Sequence, residues 1–386
     1  MRESGLTGRG GAAFPVHRKL SAVLEASRQR RLRPVVIANG AEGEPASGKD
    51  AALLAMAPHL VLDGLQLAAE AVGADQAIVY THTGRAGDAA GRLEKALAQR
   101  RGDRVPVRLA TAPARFLSGQ ETALVNHLGG GPAVPVFVPP RITERGLGGA
   151  PTLVQNVETL AHLALIARYG PRWFRAVGTN SAPGSTLCTI RRRDGRPRIA
   201  EVPLGVPLRN LLGVPGEETL ARESAVLIGG YHGTWVPAAR AARLRLDNDS
   251  LGAVGATVGA GIIIALPSDR CGLAETARVV RYLALESAGQ CGPCLNGLPR
   301  MSAALSELAM GRAPAGTRAD LERWAGLMPG RGACRHPDGT VRFVRSALAT
   351  FAAELVRHER GQCGATSGEP FLPVPRGAAR AEEDWL

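Results

Sequence analysis

The chain has 386 residues, 45% of them hydrophobic and 21% charged. That length exceeds the size at which one hydrophobic core stops growing, so two or three domains are expected, and the apolar fraction excludes a wholly disordered chain. The formal net charge is +13, but the arginines that supply it are dispersed and no helix-turn-helix, RNP or zinc-finger pattern accompanies them, which argues against a nucleic-acid surface.

Residues 5–15, GLTGRGGAAFP, read as a glycine-rich loop, with Pro15 in the first turn of a helix reaching about Arg28. PVVIANG reads as a strand ending in a turn, AEGEPASGKD as an acidic loop, and LVLDGLQLAAEAVG as a helix closed by glycine. QAIVYTHTG and VPVRLATAP read as strands on either side of the helix RLEKALAQRRG, and this alternation predicts an α/β layer with parallel pairing. SGQETALVNHLGGG predicts a helix capped by Ser118 with Glu121 three residues on, and Thr152–Arg168 predicts a further helix. Beyond Gly170 the chain turns β-rich. A hairpin is expected around Asp194-Gly195, then the short helix VPLRNLLG and the buried strands AVLIGG and GIIIALP. From about Ala274 the pattern is helical, and Val344, Leu348, Phe351 and Leu355 share one face. The Pro- and charge-rich residues 367–386 are expected to form a loose tail. No secretory or membrane-spanning segment is read, and six unevenly spaced cysteines fit a reducing, cytoplasmic setting better than a disulfide framework.

Three constellations carry chemistry. Cys291 and Cys294 in QCGPC, with Cys334 further on, have metal or iron–sulfur spacing. Zinc completed by His336 is one alternative, and two packed helix-cap cysteines are the plain one. Gly8-Arg9-Gly10-Gly11-Ala12-Ala13 matches G-x-G-x-x-A, but no strand precedes it, so a dinucleotide fingerprint fails on context. Its glycines still allow backbone N–H groups at a helix N-terminus to approach a phosphate. Asn39, Glu42 and Glu44, together with Gln120 and Glu121, place polar groups where open α/β sheets bind ligands.

GLTGRGGAAFP followed by Lys19, then ANGAEGEP, SGQETAL, GAPTLVQNVET, ESAGQCGPC and Cys334 occur in that order. Over about residues 5–360 the chain resembles the NADH- and FMN-binding flavoprotein subunit of respiratory complex I. That family also holds the diaphorase subunits of NAD-linked hydrogenases and formate dehydrogenases. The resemblance implies an α/β FMN-binding domain over 1–174 and a small β-rich, ubiquitin-like SLBB module over 175–268. An all-helical iron–sulfur bundle over 269–366 and a flexible tail over 367–386 follow. It implies FMN contacts at Gly8, Gly10, Gly11, Lys19, Asn39, Glu42, Gly119, Gln120, Asn156 and Thr159. Phe14, Glu44 and Glu121 would line the nucleotide site, and Cys291, Cys294 and Cys334 would bind a 4Fe–4S cluster. The implied activity is electron transfer among NAD(P)H or a ferredoxin-like redox partner, FMN and the cluster, without a catalytic acid–base residue.

The departures are specific. Ala288 stands where the family has its first cluster cysteine, Ala41 where it has a flavin-contacting carboxylate, Gln120 where it has a glutamate, and Ala22 where it has a second stacking phenylalanine. The family's lysine near the proline-rich loop has no counterpart, with Arg141 and Arg145 the nearest cations. Cys271 and Cys363 are the candidate substitutes for the missing cluster ligand, though neither lies at the family spacing. A divergent paralogue with weak NADH use and a labile cluster is expected. The alternatives are a degenerate, non-catalytic assembly subunit and a zinc-stabilised helical domain.

Overall fold

Strand β1 (Val35–Gly40) sends Val35 and Ile37 to one side and Val36 and Ala38 to the other, and all four are buried because both faces of its sheet are covered. The computed structural model describes residues 1–82, 89–213, 220–375 and 385. In it β1 pairs in parallel with β2 (Gln76–His82) and β4 (Thr152–Asn156), and β3 (Val107–Ala112) joins β2, giving the order β3-β2-β1-β4. The helices of this layer are α1 (Val16–Arg30), α2 (Lys49–Met56), α3 (Pro58–Val72), α4 (Ala89–Gln99), α5 (Glu121–Leu128) and α6 (Val157–Tyr169). Leu62, Leu65, Leu93 and Leu160 from α3, α4 and α6 cover one face, while Leu124 of α5 packs with Tyr80 and Ile142 on the other.

After α7 (Pro171–Arg175) comes a second, mixed sheet. It is built from β5 (Ser185–Arg191), β6 (Pro197–Pro203), β7 (Glu223–Ile228), β8 (Thr234–Pro237) and β9 (Ile262–Pro267), with α8 (Leu208–Leu212), α9 (Ala238–Ala241) and α10 (Asn248–Gly252) between them. The order is β6-β5-β9-β7-β8, with β5 and β9 parallel and the other pairs antiparallel. The β5–β6 hairpin turns at Asp194-Gly195 as expected, and all six residues of the central β9 are buried. One face, with Val226, Ile228 and Ile263, packs on Leu208 and Leu211 of α8. The other face, with Leu227, Ile262 and Ile264, shares a single core with α11 (Gly272–Leu285), α12 (Leu298–Ala309), α13 (Thr317–Leu327), α14 (His336–Thr350) and α15 (Ala352–His358). The helical region therefore buries its apolar surface against the sheet before it. Val344, Leu348, Phe351 and Leu355 lie in that core, as the periodicity predicts.

Three expectations change. Residues 152–168 are a strand followed by a helix, because a buried apolar strand cannot be told from a helix by periodicity, and Asn156 breaks and caps the run. The cap of α5 is Gln120, whose Oε1 accepts from the Thr122 and Ala123 N–H groups; Ser118 lies two residues earlier and donates to the Arg115 carbonyl instead. The segment after 366 is tied down through its described part. Phe371 and Leu372 are buried, and their N–H groups donate to Glu275 at 2.9 and 2.8 Å. Trp385 is buried under the Arg115 guanidinium, and 376–384 and 386 lie outside the described residues. Among the described residues no single helix is long and apolar enough to cross a membrane.

Candidate functional site

A cavity of about 280 Å³ opens where β1 and β4 end, at Asn39 and Asn156. Gly10, Glu42, Glu44, Gly119 and Gln120 line it beside those asparagines. Phe116 and His232 line it too, as do Cys334, Arg335 and His336, where the chain enters α14. A cysteine expected in the cluster thus stands in the same wall system as the expected flavin contacts.

The amide side chains here build the cavity as well as line it. Asn39 Nδ2 donates to the Gly119 carbonyl at 2.8 Å and its Oδ1 accepts from the Ala41 N–H at 3.2 Å. Asn156 caps α6 by accepting from the Glu158 N–H, and its Nδ2 donates to Asp50 Oδ2 at 2.7 Å. A Cβ at Gly119 would lie 2.2 Å from the Ala41 carbonyl oxygen, so only glycine lets these two loops meet. Gln120 and Asn156 have their oxygens occupied as helix caps, which leaves the Gln120 amide nitrogen as a donor for a ligand.

Other expected residues lie elsewhere. Gly8 and Gly11 line a separate pocket of about 110 Å³ on the far side of the glycine loop, with Thr186, Asp247 and Gly259. Thr159 is buried and accepts from the Arg9 N–H at 2.9 Å, which anchors the loop. Lys19 and Glu121 form an ion pair with each other. Phe14 is 47% exposed, and Ala22, Arg141 and Arg145 are exposed. Glu44 Oε1 accepts from the Tyr231 N–H at 3.0 Å, joining the acidic loop to the second sheet.

Four residues that no sequence motif singles out are central. Lys49 is buried, with its Nζ 2.6 Å from Asp50 Oδ1 and 2.8 Å from Glu158 Oε2. Burial opposes the Lys49 charge, but Asp50, Glu158 and Glu42 outweigh it and hold the ammonium protonated. Burial likewise opposes ionisation of Glu158, yet Lys49 and His162 bring its carboxyl down to about 2. Asp50 is pushed up to about 7, first by burial, with Glu42 and Glu158 adding to it and Lys49 opposing. One cation among three carboxylates leaves Asp50, which lines the cavity, the least neutralised. Arg9 lines both this cavity and the pocket beside Gly8 and Gly11, and its buried Nη2 has no hydrogen-bond partner among the described residues. The available signal is that Lys49 is one of only three lysines and sits beside an aspartate at the head of an apolar helix.

A raised carboxyl contributes stability that is full below its unfolded value near 3.8 and is lost as pH rises through about 7. Asp50→Asn should therefore gain in stability relative to the parent between about pH 5 and pH 8. Urea midpoints for both proteins at the two pH values check this, and an unchanged difference contradicts it.

His232 and His336 form a neutral pair. His336 Nε2 lies 2.8 Å from the Leu283 carbonyl, which can only accept, so Nε2 carries the proton. Its Nδ1 must then accept from His232 Nε2 at 3.0 Å. Burial brings His336 down to about 4, partly offset by the bond to Leu283, and burial followed by His336 and Arg342 brings His232 well down. Both His336 nitrogens are engaged, which removes it as the zinc ligand expected beside the cysteine triplet.

Cys294 is buried, and burial followed by Cys291 and Cys334 pushes its thiol up. Among the described residues their ligand atoms do not form a group lying within 4.8 Å of one another. Ala288 packs near Leu117 and Trp385 and brings no fourth thiolate. Cys271 and Cys363 do not substitute: they gather with His358, apart from the triplet.

A family model described as the Nuo51 FMN-binding domain matches residues 1–165, and one described as the NADH-ubiquinone oxidoreductase-F iron-sulfur binding region matches residues 274–358. The NADH-quinone oxidoreductase F subunit 2 of Rhizobium meliloti is 31% identical over 382 residues, covering 94% of this chain and 89% of that protein. The NADH-quinone oxidoreductase F subunit of Mycobacterium tuberculosis is 29% identical over 389 residues, covering 97% and 85%. The crystal structure of an NAD+-reducing [NiFe]-hydrogenase in the H2-reduced state aligns with a TM-score of 0.82 at 29% identity, over 95% of this chain. The air-oxidised state aligns at 0.81 and 28% identity, over 99% of this chain. This chain spans 62% and 64% of the length of those hydrogenase chains.

Proposed function

The chain belongs to the family of NADH-quinone oxidoreductase F subunits, and on that premise we propose how its own residues serve flavin- and iron–sulfur-dependent electron transfer. FMN supplies the chemistry of taking two electrons as a hydride and releasing them singly, and an iron–sulfur cluster carries them on. The carrying observation is Cys334 in the wall of the cavity that Gly10, Asn39, Gly119 and Asn156 also line.

Gly10 and the unpartnered Nη2 of Arg9 suit the FMN phosphate, and Gly8, Gly11 and Thr159 hold the loop that presents them. Asn39 and Gly119 hold their two loops together at the cavity, and Asn156 braces Asp50 beside them. Asp50, Glu42 and the Gln120 amide nitrogen offer polar contacts. Phe116 supplies an apolar wall that excludes water, and it meets His232 edge-on at 5.0 Å between centroids. Cys291, Cys294 and Cys334 would hold the cluster by three thiolates, and Ala288 would supply no fourth. Phe14, 47% exposed, is left for a nicotinamide nucleotide, while Glu44 is bonded to the Tyr231 N–H and Lys19 and Glu121 are paired with one another.

The domain division that goes with this reading is 1–174 for the flavin, 175–268 as an SLBB-like module, 269–366 for the cluster and 367–386 as the tail. The mixed sheet wrapped on α8 supports the middle assignment. A redox protein docking near the cluster is the partner class, and six free cysteines fit a reducing, cytoplasmic compartment.

One aromatic face and a neutralised Lys19 predict slow reaction with NADH. Stacking on a second ring is worth only ~0.5–1.5 kcal/mol beyond its buried area, so the reaction should be slowed and not abolished. Stopped-flow mixing of the anaerobic flavoprotein with micromolar NADH should bleach the flavin far more slowly than dithionite does. Equally rapid bleaching by both contradicts the nucleotide-site reading. Flavin that NADH never reduces favours the assembly-subunit alternative.

A further inference from the structure

Cys271, His358 and Cys363 bring their ligand atoms within 4.8 Å of one another, and they are the one such group of metal-ligating side chains among the described residues. We propose that these three residues bind a zinc ion that is separate from the iron–sulfur cluster and clasps the helical region at both ends.

The geometry is close to that of a tetrahedral thiolate–imidazole site. With Zn–S and Zn–N bonds of about 2.3 and 2.0–2.1 Å, neighbouring sulfur and nitrogen ligands should be about 3.6 Å apart. Cys271 Sγ lies 3.3 Å from His358 Nε2. Glu354 Oε2 stands 3.5 Å from the same sulfur. Glu354 and His358 are four residues apart on α15, so one helix face presents both to Cys271. The Gly272 N–H donates to Glu354 Oε2 at 3.0 Å and fixes the carboxylate, as outer partners of metal sites do. Cys271 and His358 are buried, whereas Cys363 is exposed and provides the entry side. Zinc binding would displace the thiol protons of both cysteines to solvent.

The placement gives the ion a structural purpose. Cys271 sits between β9 and α11, at the entrance to the helical region. His358 ends α15, and Cys363 follows it. Together they bracket Cys291, Cys294 and Cys334, so closing this site fixes both ends of the segment that carries the cluster sulfurs. The chain is already held beside the site: the Thr366 and Ser367 N–H groups both donate to the Asp269 carbonyl at 3.1 Å. A cluster lacking a thiolate at Ala288 gains most from such a clasp.

The test is elemental analysis of the full chain, purified anaerobically under reducing conditions, given equimolar zinc and desalted, with iron and FMN measured on the same samples. The parent protein should retain about one zinc per chain, and zinc X-ray absorption should show both sulfur and nitrogen ligands. Cys363→Ser and His358→Ala should lower zinc retention about tenfold or more while iron and FMN stay unchanged. Cys294→Ser should lose iron and keep zinc. Because Cys363 is exposed, its variant tests the site without disturbing the core. Parent protein that retains no zinc overturns the proposal, whether the thiols are only hydrogen-bonded or have closed a disulfide that shows in the intact mass. Zinc that survives Cys363→Ser but is lost in Cys294→Ser also overturns it.

Discussion

Lys49→Met should destabilise the protein by ~3–5 kcal/mol, the range for breaking a buried ion pair by removing one partner. The Lys49 side chain is 3% exposed and Glu158 is 2% exposed, so water cannot take over when the ammonium is removed. Glu158 is also one of the links to the second sheet. Its Oε1 accepts from Thr186 Oγ1 at 3.0 Å and from the Leu187 N–H at 2.7 Å, both on β5. Without Lys49 it must either stay charged and unpaired or take a proton and release part of that network. Asp50 would lose the cation beside it, and with it the geometry it shares with Asn156 at the cavity floor. The measurement is a urea unfolding curve with FMN content determined alongside. The expected result is a large fall in the midpoint together with loss of flavin. A midpoint shift corresponding to less than about 1 kcal/mol, with flavin retained, contradicts the role given to this lysine.

Ala288→Cys should raise the iron retained after exposure to air several-fold. Three thiolates leave one iron corner reachable by solvent and oxygen, and a fourth closes it. The residue lies just before Cys291 and is half-buried against the cluster formed by Leu117, Ala133 and Trp385. Replacing one hydrogen of its methyl group by a thiol is a small volume change at a site that is not fully enclosed, so the fold should tolerate it. Iron analysis over a time course in air, on parent and variant prepared side by side, reads the effect. Identical iron content and identical decay contradict the missing-ligand account.

Much of this is legible in the sequence because the signals are local. Alternating strands and helices mark the parallel sheet, the Asp194-Gly195 pair marks the hairpin, and the ordered glycine and cysteine motifs mark the cofactors. What stays hidden depends on contacts between distant segments. Lys49 and Glu158 are far apart in the chain and meet only when α2 packs beside α6. Phe116, His232 and His336 become neighbours because a glycine at 339 lets the imidazole of His232 lie against α14, where a Cβ would come within 2.4 Å of its ring. The strand at Thr152–Asn156 reads as helix because burial on both faces erases the alternation that marks a strand. The tail looks loose because its charge and proline hide Phe371 and Leu372, two apolar anchors whose partner, Glu275, lies on α11. Spacing alone also cannot sort the cysteines into two groups; that requires the folded positions of Glu354 and His358.

The central claim is that one cavity receives FMN and that a cluster cysteine stands in its wall. The most direct measurement is simultaneous flavin and iron quantification on anaerobically purified, reconstituted protein, followed by electron paramagnetic resonance after stepwise reduction. The account predicts stoichiometric FMN, iron in excess over flavin, and a cluster signal that grows as the flavin bleaches. Protein that takes up neither FMN nor iron, or that binds FMN whose reduction leaves the cluster silent, contradicts it.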